Sequence, residues 1–295
     1  MSFKEKLLLK TKDIDEKLEL YLPSEADDET GIIAKAMRYS VFAGGKRLRP
    51  IILVSVTEAL GGDINRAYPF ACALEMIHTY SLIHDDLPAM DNDDFRRGIL
   101  TNHKVFGEDI AILAGDALLN QAFEVMSKAC VLYNDVSLVK AMEAIARAAG
   151  VKGMLGGQVV DVINDGKKID EKTLRYIDKN KTAAMISGAF EAGAYIAKAD
   201  EDMIRLLYEA GQNIGIAFQI QDDILDVIGD FETFGKSIGS DEKNNKTTYV
   251  TMFGLEKAKE DTAVLSKRAV EIFEGMGSSM DFLAELTRYL IKRNH

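Results

Sequence analysis

The chain has 295 residues, of which 47% are hydrophobic, and its formal net charge is -11. This length and apolar content favour a compact globular protein over a disordered chain. The acidic balance disfavours nucleic acid and anionic membrane surfaces as partners. The sequence lacks an apolar run long enough to span a membrane, and its first residues lack a hydrophobic signal core, so we expect a cytoplasmic protein.

Helical periodicity extends through nearly the whole chain, and strand alternation is missing. The predicted helices span about residues 4–20, 30–43, 47–60, 64–87, 109–129, 135–149, 151–164, 170–197, 201–229, 247–275 and 279–292. Glycines separate several of these segments, and no linker divides the chain. We therefore predict an all-α fold that forms a single large helical bundle domain over residues 1–295.

Two acidic clusters each end a long apolar helical stretch. The first contains Asp85, Asp86 and Asp91, and Pro88 should end its helix so that Asp91 folds back toward Asp85. The second cluster places its members at i, i+3, i+4 and i+7, which puts them on one helix face: Gln219, Asp222, Asp223 and Asp226. Carboxylates packed this densely repel one another unless cations neutralise them. Magnesium suits such sites because it binds one or two carboxylates and fills its other positions with water and substrate phosphates.

Basic residues accompany both acidic clusters. The segment GGKRLRP at 44–50 places three cations after a predicted helix end, and Arg96 and Arg97 directly follow the first cluster. Guanidinium groups match phosphate oxygens, and glycines allow the backbone to approach an anion closely. Lys181, Lys236 and Lys246 add further positive charge. The pattern predicts binding of phosphorylated small molecules.

Several strings of the sequence together resemble the trans-prenyl diphosphate synthases, most closely the bacterial farnesyl diphosphate synthases. They are GGKRLRP at 44–50, YSLIHDDLPAMDNDDFRRG at 80–98, HKVFGEDIAILAGDAL at 103–118, GGQVVD at 156–161, KT at 181–182 and FQIQDDILD at 218–226. The resemblance continues through 235–236 and 246–249 and covers most of the chain in order. It implies helices around a central active-site cavity, with the acidic clusters facing each other across its mouth, and a homodimer.

The resemblance also implies a role for each matched residue. Magnesium ions, three per site with manganese as an alternative, would be bound or oriented by Asp85, Asp86, Asp91, Asp222 and Asp226. The isopentenyl diphosphate site would consist of Lys46, Arg49, His78 and Arg97. The allylic diphosphate site would consist of Arg96, Lys181, Thr182, Gln219, Lys236 and Lys246, with Lys181, Thr182 and Gln219 as catalytic residues. The implied reaction joins dimethylallyl or geranyl diphosphate to isopentenyl diphosphate.

The length of the product is predicted from the helix that carries the first cluster. Tyr80, beside Ser81, lies five residues before Asp85, a separation of about 7.5 Å along a helix. An aromatic ring there would form a floor for the growing chain. This position and the DDLPAMD spacing resemble the bacterial farnesyl type, so we expect a C15 product.

Three alternatives remain open at this stage. A geranylgeranyl diphosphate synthase would share the same motifs and make a C20 product. A class I terpene cyclase would share the fold and the metal ions but would not need the second diphosphate site indicated by GGKRLRP and Arg97. A non-catalytic subunit of a heteromeric prenyl synthase would function by interaction, although such subunits tend to lack intact acidic clusters.

Overall fold

A computed structural model describes residues 1–26, 28–228 and 247–292, which form an almost entirely helical structure. The prediction of an all-α fold is confirmed. The chain divides into two compact units, Met1–Met142 and Glu143–His295, and each is described here by itself. The predicted ligands Lys236 and Lys246 lie outside the described residues. No helix of the described part has the length and apolar character needed to cross a bilayer.

The first unit is built around a buried central helix. Its elements are α1 (Phe3–Tyr21), α2 (Gly31–Val41), α3 (Leu48–Ala59), α4 (Ile64–Asp85), β1 (Phe95–Arg96), β2 (Ile99–Leu100), α5 (Asn102–Phe106), α6 (Glu108–Tyr133) and the first part of α7 (Val136–Ala149). Helix α4 packs against α1, α2, α3 and α6. Its middle is buried on all sides, as the consecutive residues Phe70, Ala71 and Cys72 show. A helix enclosed in this way fixes the position of whatever its C-terminal end carries.

A small β-hairpin, β1–β2, corrects the expectation that strands are missing. Phe95 pairs with Leu100 and Arg96 with Ile99, leaving Arg97 and Gly98 as the two turn residues. Both turn residues have positive φ, 54° and 81°, as a type I′ turn requires. Two-residue strands are too short to show alternation in the sequence, which is why the periodicity did not reveal them.

A buried ion-pair network attaches the segment before α3 to the core of the first unit. Arg47 is only 3% exposed and donates to Asp15 at 2.8 Å and to Glu75 at 2.9 Å. It also donates to the carbonyl oxygens of Gly44 and Val41. Burial alone would lower the pKa of Arg47, but its two carboxylate partners raise it overall. Arg47 therefore stabilises the loop and is not itself available to a ligand.

The second unit consists of helices that pack against one another. Its elements are the last part of α7, then α8 (Met154–Ile163), α9 (Glu171–Ile177), a π-helical segment (Asp178–Ala183), α10 (Ala184–Ile196), α11 (Glu201–Ile228), α12 (Tyr249–Phe253), α13 (Leu255–Met276), a 3₁₀ turn (Ser278–Met280) and α14 (Asp281–Lys292). The predicted helix over 170–197 is thus one continuous helical stretch with a widened turn in its middle. The stretch predicted as one helix over 247–275 is divided at Gly254, whose φ is 84°.

We expect Arg47→Met to lower the free energy of unfolding by about 3–5 kcal/mol, because it leaves the Glu75 carboxylate buried without its countercharge. Urea denaturation followed by circular dichroism measures the change. Lys12→Met is the matched control, since Lys12 and Glu16 form an exposed pair, and its effect should stay within about 0.5 kcal/mol. Equal losses in the two variants would contradict the structural role given to Arg47.

Candidate active site

The first acidic cluster occupies the C-terminal end of α4 and the loop that follows it. Helix α4 ends at Asp85, three residues before Pro88, as predicted. The backbone N–H of Asp91 donates to the carbonyl oxygen of Asp85 at 2.8 Å, so the loop folds back on the helix end. Asp91 is exposed and Asp85 is half-buried. The predicted approach of Asp91 to Asp85 is therefore confirmed at the backbone.

Asp86 differs from its neighbours because its carboxylate is buried and paired. The guanidinium of Arg96 donates from Nε to both carboxylate oxygens, at 2.7 and 2.9 Å, and Nη2 lies 2.6 Å from Oδ1. Burial raises the pKa of Asp86, and Arg96 opposes that shift. In this arrangement Asp86 orients Arg96, while Asp85 and Asp91 lie on the more exposed part of the cluster.

A cationic group, formed by Arg49, His78 and Arg97, lies in the same unit. The pKa of His78 is well below its ordinary value, first because the ring is buried and then because Arg49, Arg97 and Arg96 repel the imidazolium. Burial also lowers the pKa of Arg49, and Arg97 adds to that effect. Among the described residues, the buried Nε of Arg49 has no hydrogen-bond partner. A neutral histidine between guanidinium groups is suited to an anionic ligand.

The glycine-rich loop is shaped around Arg97. Gly45 has a φ of +130°, and a Cβ built on it would lie 2.8 Å from Nη1 of Arg97. The same Nη1 donates to the carbonyl oxygen of Gly44. Lys46 is exposed beside this contact. The glycines thus bring the backbone against the guanidinium, and the cationic group and Lys46 share one region of the first unit.

The second acidic cluster lies on the last turns of α11 and belongs to a chain of hydrogen bonds. Thr182 donates to Oε1 of Gln219 at 2.9 Å, and Nε2 of Gln219 donates to Asp223 at 3.1 Å. The other oxygen of Asp223 accepts from the backbone N–H of Tyr249 at 2.8 Å. Asp223 is buried, whereas Asp222 and Asp226 are half-buried. Asp223 therefore attaches α12 to α11, a role that the helical spacing alone did not indicate.

Lys181 and Thr182 both belong to the π-helical segment. Lys181 donates to Asp161 of α8 at 2.6 Å, and Thr182 reaches Gln219 of α11. A Cβ on Gly157 would lie 2.2 Å from the backbone nitrogen of Lys181, so α8 approaches the segment as closely as backbone allows. Asp161 was not predicted as a site residue. The feature of the sequence that could have indicated Asp161 is its position four residues after Gly157, on the same helix face.

Tyr80 and Ser81 lie one turn before the first cluster. Tyr80 is 4% exposed, and its ring meets His84 edge-on with 5.7 Å between centroids. Burial raises the pKa of Tyr80, and the charge of Asp85 adds to the shift. Ser81 donates to the carbonyl oxygen of His78 at 2.9 Å. The aromatic ring thus lies buried beside the acidic helix end, and its role as a floor for the product stays a prediction.

The carboxylates of each cluster are candidate magnesium ligands. Within the described residues, no three His, Cys, Asp or Glu side chains converge into a ready-made metal cage. Magnesium does not need one, because it retains waters and uses one or two carboxylates together with phosphate oxygens. Asp85, Asp91, Asp222 and Asp226 offer oxygen ligands of this kind. Each cluster by itself therefore offers donors that fit ions bound together with a diphosphate.

Comparison with known proteins identifies the family. Residues 30–280 match the polyprenyl synthetase family. The chain belongs to this family. It is 47% identical to the farnesyl diphosphate synthase of Geobacillus stearothermophilus over 86% of this chain and 87% of that protein, and 43% identical to the farnesyl diphosphate synthase of Bacillus subtilis over 96% of each. An FPP/GFPP synthase structure from Zymomonas mobilis matches with a TM-score of 0.88 at 34% identity, covering 98% of both chains.

These relatives confirm the predicted prenyltransferase of the farnesyl diphosphate synthase type. Members of the polyprenyl synthetase family act on prenyl diphosphates and in general depend on magnesium. Geranylgeranyl diphosphate synthases are also among the relatives. The assignment of individual residues stays a prediction.

We expect Gly157→Ala to lower the free energy of unfolding by about 1–3 kcal/mol, because the added methyl group must displace the backbone of Lys181. Displacing Lys181 and Thr182 should also reduce kcat by about tenfold or more. Thermal unfolding and a pyrophosphate-release assay measure the two effects. Gly275→Ala on α13 meets no atom within 4 Å and should leave both unchanged or raise stability slightly. Normal turnover in Gly157→Ala would contradict the close contact between Gly157 of α8 and the backbone of Lys181.

Proposed function

We propose that the chain condenses dimethylallyl and geranyl diphosphates head-to-tail with isopentenyl diphosphate, giving farnesyl diphosphate and pyrophosphate. The observation that carries the proposal is the cationic group of Arg49, His78 and Arg97, which accompanies the separate pair of Asp86 and Arg96. A synthase needs two diphosphate sites. A terpene cyclase, which ionises a single substrate, has no use for the second cationic group.

The allylic diphosphate is assigned to the acidic clusters. Asp85, Asp86 and Asp91 of the first cluster and Asp222 and Asp226 of the second would bind or orient magnesium, three ions per site, with manganese as an alternative. Bound magnesium neutralises the diphosphate and makes it a better leaving group. Asp86 contributes by orienting Arg96 toward that group. Lys181 would bind the same diphosphate, and Lys236 and Lys246 are assigned to it from the sequence.

Isopentenyl diphosphate is assigned to the cationic group together with Lys46. Its diphosphate accepts hydrogen bonds from Arg49 and Arg97, and His78, kept neutral by its surroundings, donates one more. The lowered pKa of His78 means that this contact does not require an imidazolium near neutral pH. With the diphosphate fixed, the double bond of isopentenyl diphosphate is positioned to attack the allylic carbon.

Thr182 and Gln219 are proposed to stabilise the allylic cation. The hydroxyl hydrogen of Thr182 is directed at Oε1 of Gln219, so the lone pairs of the hydroxyl oxygen remain for an electron-poor carbon. After the new C–C bond forms, a proton leaves the isopentenyl-derived carbon, and the departed pyrophosphate is the proposed acceptor. The chemistry needs no nucleophile from the protein, which agrees with the composition of the site.

The remaining proposals concern assembly and location. We expect a homodimer. The apolar side chains of Val105, Ile112 and Leu113 on α5 and α6 are 44–52% exposed, which is consistent with a surface that contacts a second subunit. We expect the protein in the cytoplasm. A single domain with the two acidic clusters facing one central cavity also stays a prediction.

The decisive experiment is a magnesium-containing assay with dimethylallyl and isopentenyl diphosphates, followed by chromatography of the dephosphorylated products. We expect pyrophosphate release only with both substrates, farnesol as the main alcohol, and loss of activity with EDTA. Release from the allylic substrate alone would indicate a cyclase, and no release would indicate a non-catalytic subunit. Mostly C20 product would identify a geranylgeranyl diphosphate synthase instead.

We expect Tyr80→Ala to shift the main product from C15 to C20 or longer, because removing the ring opens space one turn from Asp85. Tyr68→Ala is the matched control, since Tyr68 is also buried on α4, at 7% exposure. Both variants should lose about 3–5 kcal/mol of stability, as buried aromatic residues do. Only Tyr80→Ala should lengthen the product. An unchanged product would place the floor at another residue.

A further inference from the structure

A small, partly open cavity lies beside the β1–β2 hairpin that carries Arg96 and Arg97. Its volume is about 20 Å³. Thr79 of α4 and Asn102 of α5 contribute to its wall, as do both arginines. A polar cavity above about 10–15 Å³ has room for one water molecule. The cavity is therefore large enough for a single water and too small for a substrate.

Two polar atoms of the cavity wall lack a hydrogen-bond partner among the described residues: Oγ1 of Thr79 and Oδ1 of Asn102. Both residues are only 2% exposed. A threonine in a helix commonly satisfies its hydroxyl on the carbonyl one turn earlier, as Thr57 does with Leu53, but the hydroxyl of Thr79 makes no such bond. Buried polar atoms without partners are costly, and each needs an explanation.

The orientation of the Asn102 amide follows from its other contacts. Its Nδ2 donates to the carbonyl oxygen of Ala36 and to Oγ of Ser40, both at 2.8 Å. Because the Ala36 carbonyl can only accept, the nitrogen must lie on the α2 side. The Asn102 oxygen is then the atom left without a partner, and a water donating one hydrogen to it would satisfy it.

The hairpin depends on side-chain attachments because two-residue strands have little stability of their own. Thr101 donates to the carbonyl oxygen of Asp93 at 2.8 Å, and Tyr39 donates to that of Leu100 at 2.8 Å. Both bonds lie at the open end of the hairpin, opposite the turn at Arg97 and Gly98. Thr79 of α4 lines the cavity together with Arg96, Arg97 and Ile99 of the hairpin.

We propose that one ordered water in this cavity links Thr79 to Asn102 and supports the hairpin, so that Thr79 and Asn102 are positioning residues for the Arg96 and Arg97 side chains. The water donates to Oδ1 of Asn102 and bonds the hydroxyl of Thr79. This inference rests on the proposed binding of diphosphates by Arg96 and Arg97.

The test combines a high-resolution crystal structure with the kinetics of Thr79→Val, which replaces the hydroxyl by a methyl group of the same shape. We expect a water within 3.5 Å of both atoms in the unsubstituted protein. In Thr79→Val we expect the KM values for both substrates to rise about five- to tenfold with little change in kcat, as loss of one hydrogen bond implies. Thr79→Ser keeps the hydroxyl and should restore the KM values.

Thr262→Val is the matched control, because Thr262 is also 2% exposed with an unpartnered hydroxyl but lies on α13, outside this cavity. Thr262→Val should leave both KM values unchanged. Its melting temperature should show how much stability is lost when a buried hydroxyl is removed without any effect on substrate binding. A cavity without an ordered water, unchanged KM values in Thr79→Val, or no rescue by serine would each overturn the inference.

Arg97→Ala separates this inference from the proposed function. If Arg97→Ala leaves the KM for isopentenyl diphosphate unchanged, the assignment of that arginine is wrong. If Arg97→Ala raises this KM strongly and Thr79→Val does not, the assignment stands and only the role of Thr79 fails.

Discussion

Repulsion between crowded like charges is the constraint that shapes the acidic and the basic segments of the first unit. The acidic helix end is held in order by one buried pair, Asp86 with Arg96, and the basic loop by another, Arg47 with Glu75. In each case a buried residue of the cluster takes a countercharge from the protein. Other charged residues of these segments, such as Asp85, Asp91 and Lys46, are half-buried or exposed, which leaves them accessible to charged ligands.

Features that depend on neighbouring residues in the chain could be predicted from the sequence, and contacts between distant residues could not. The helices and the end of α4 before Pro88 follow from periodicity and from the chemistry of proline, which act within a few residues. The partners of Asp223 and Lys181 lie 26 and 20 residues away in the chain, so spacing could not reveal them. The sequence also did not predict the β1–β2 hairpin because an arginine, Arg97, occupies the left-handed position before Gly98.

Adjacent acidic residues differ in how deeply their side chains are buried, and only the structure shows this difference. The sequence presents Asp85 and Asp86, or Asp222 and Asp223, as equivalent carboxylates. In the structure, Asp86 and Asp223 are buried and bonded within the protein, while Asp85 and Asp222 are half-buried. One residue of each pair is therefore held within the protein and its neighbour is more accessible, a division that depends on which side of the helix faces the core.

The π-helical segment has a consequence for how two neighbouring side chains can cooperate. In a regular α-helix, consecutive residues point about 100° apart, so one of them usually faces away from any given centre. The wider turn at Asp178–Ala183 lets Lys181 reach α8 and Thr182 reach α11 from consecutive positions. Deleting one residue there would keep the segment helical yet separate the two groups, so their cooperation depends on the irregularity itself.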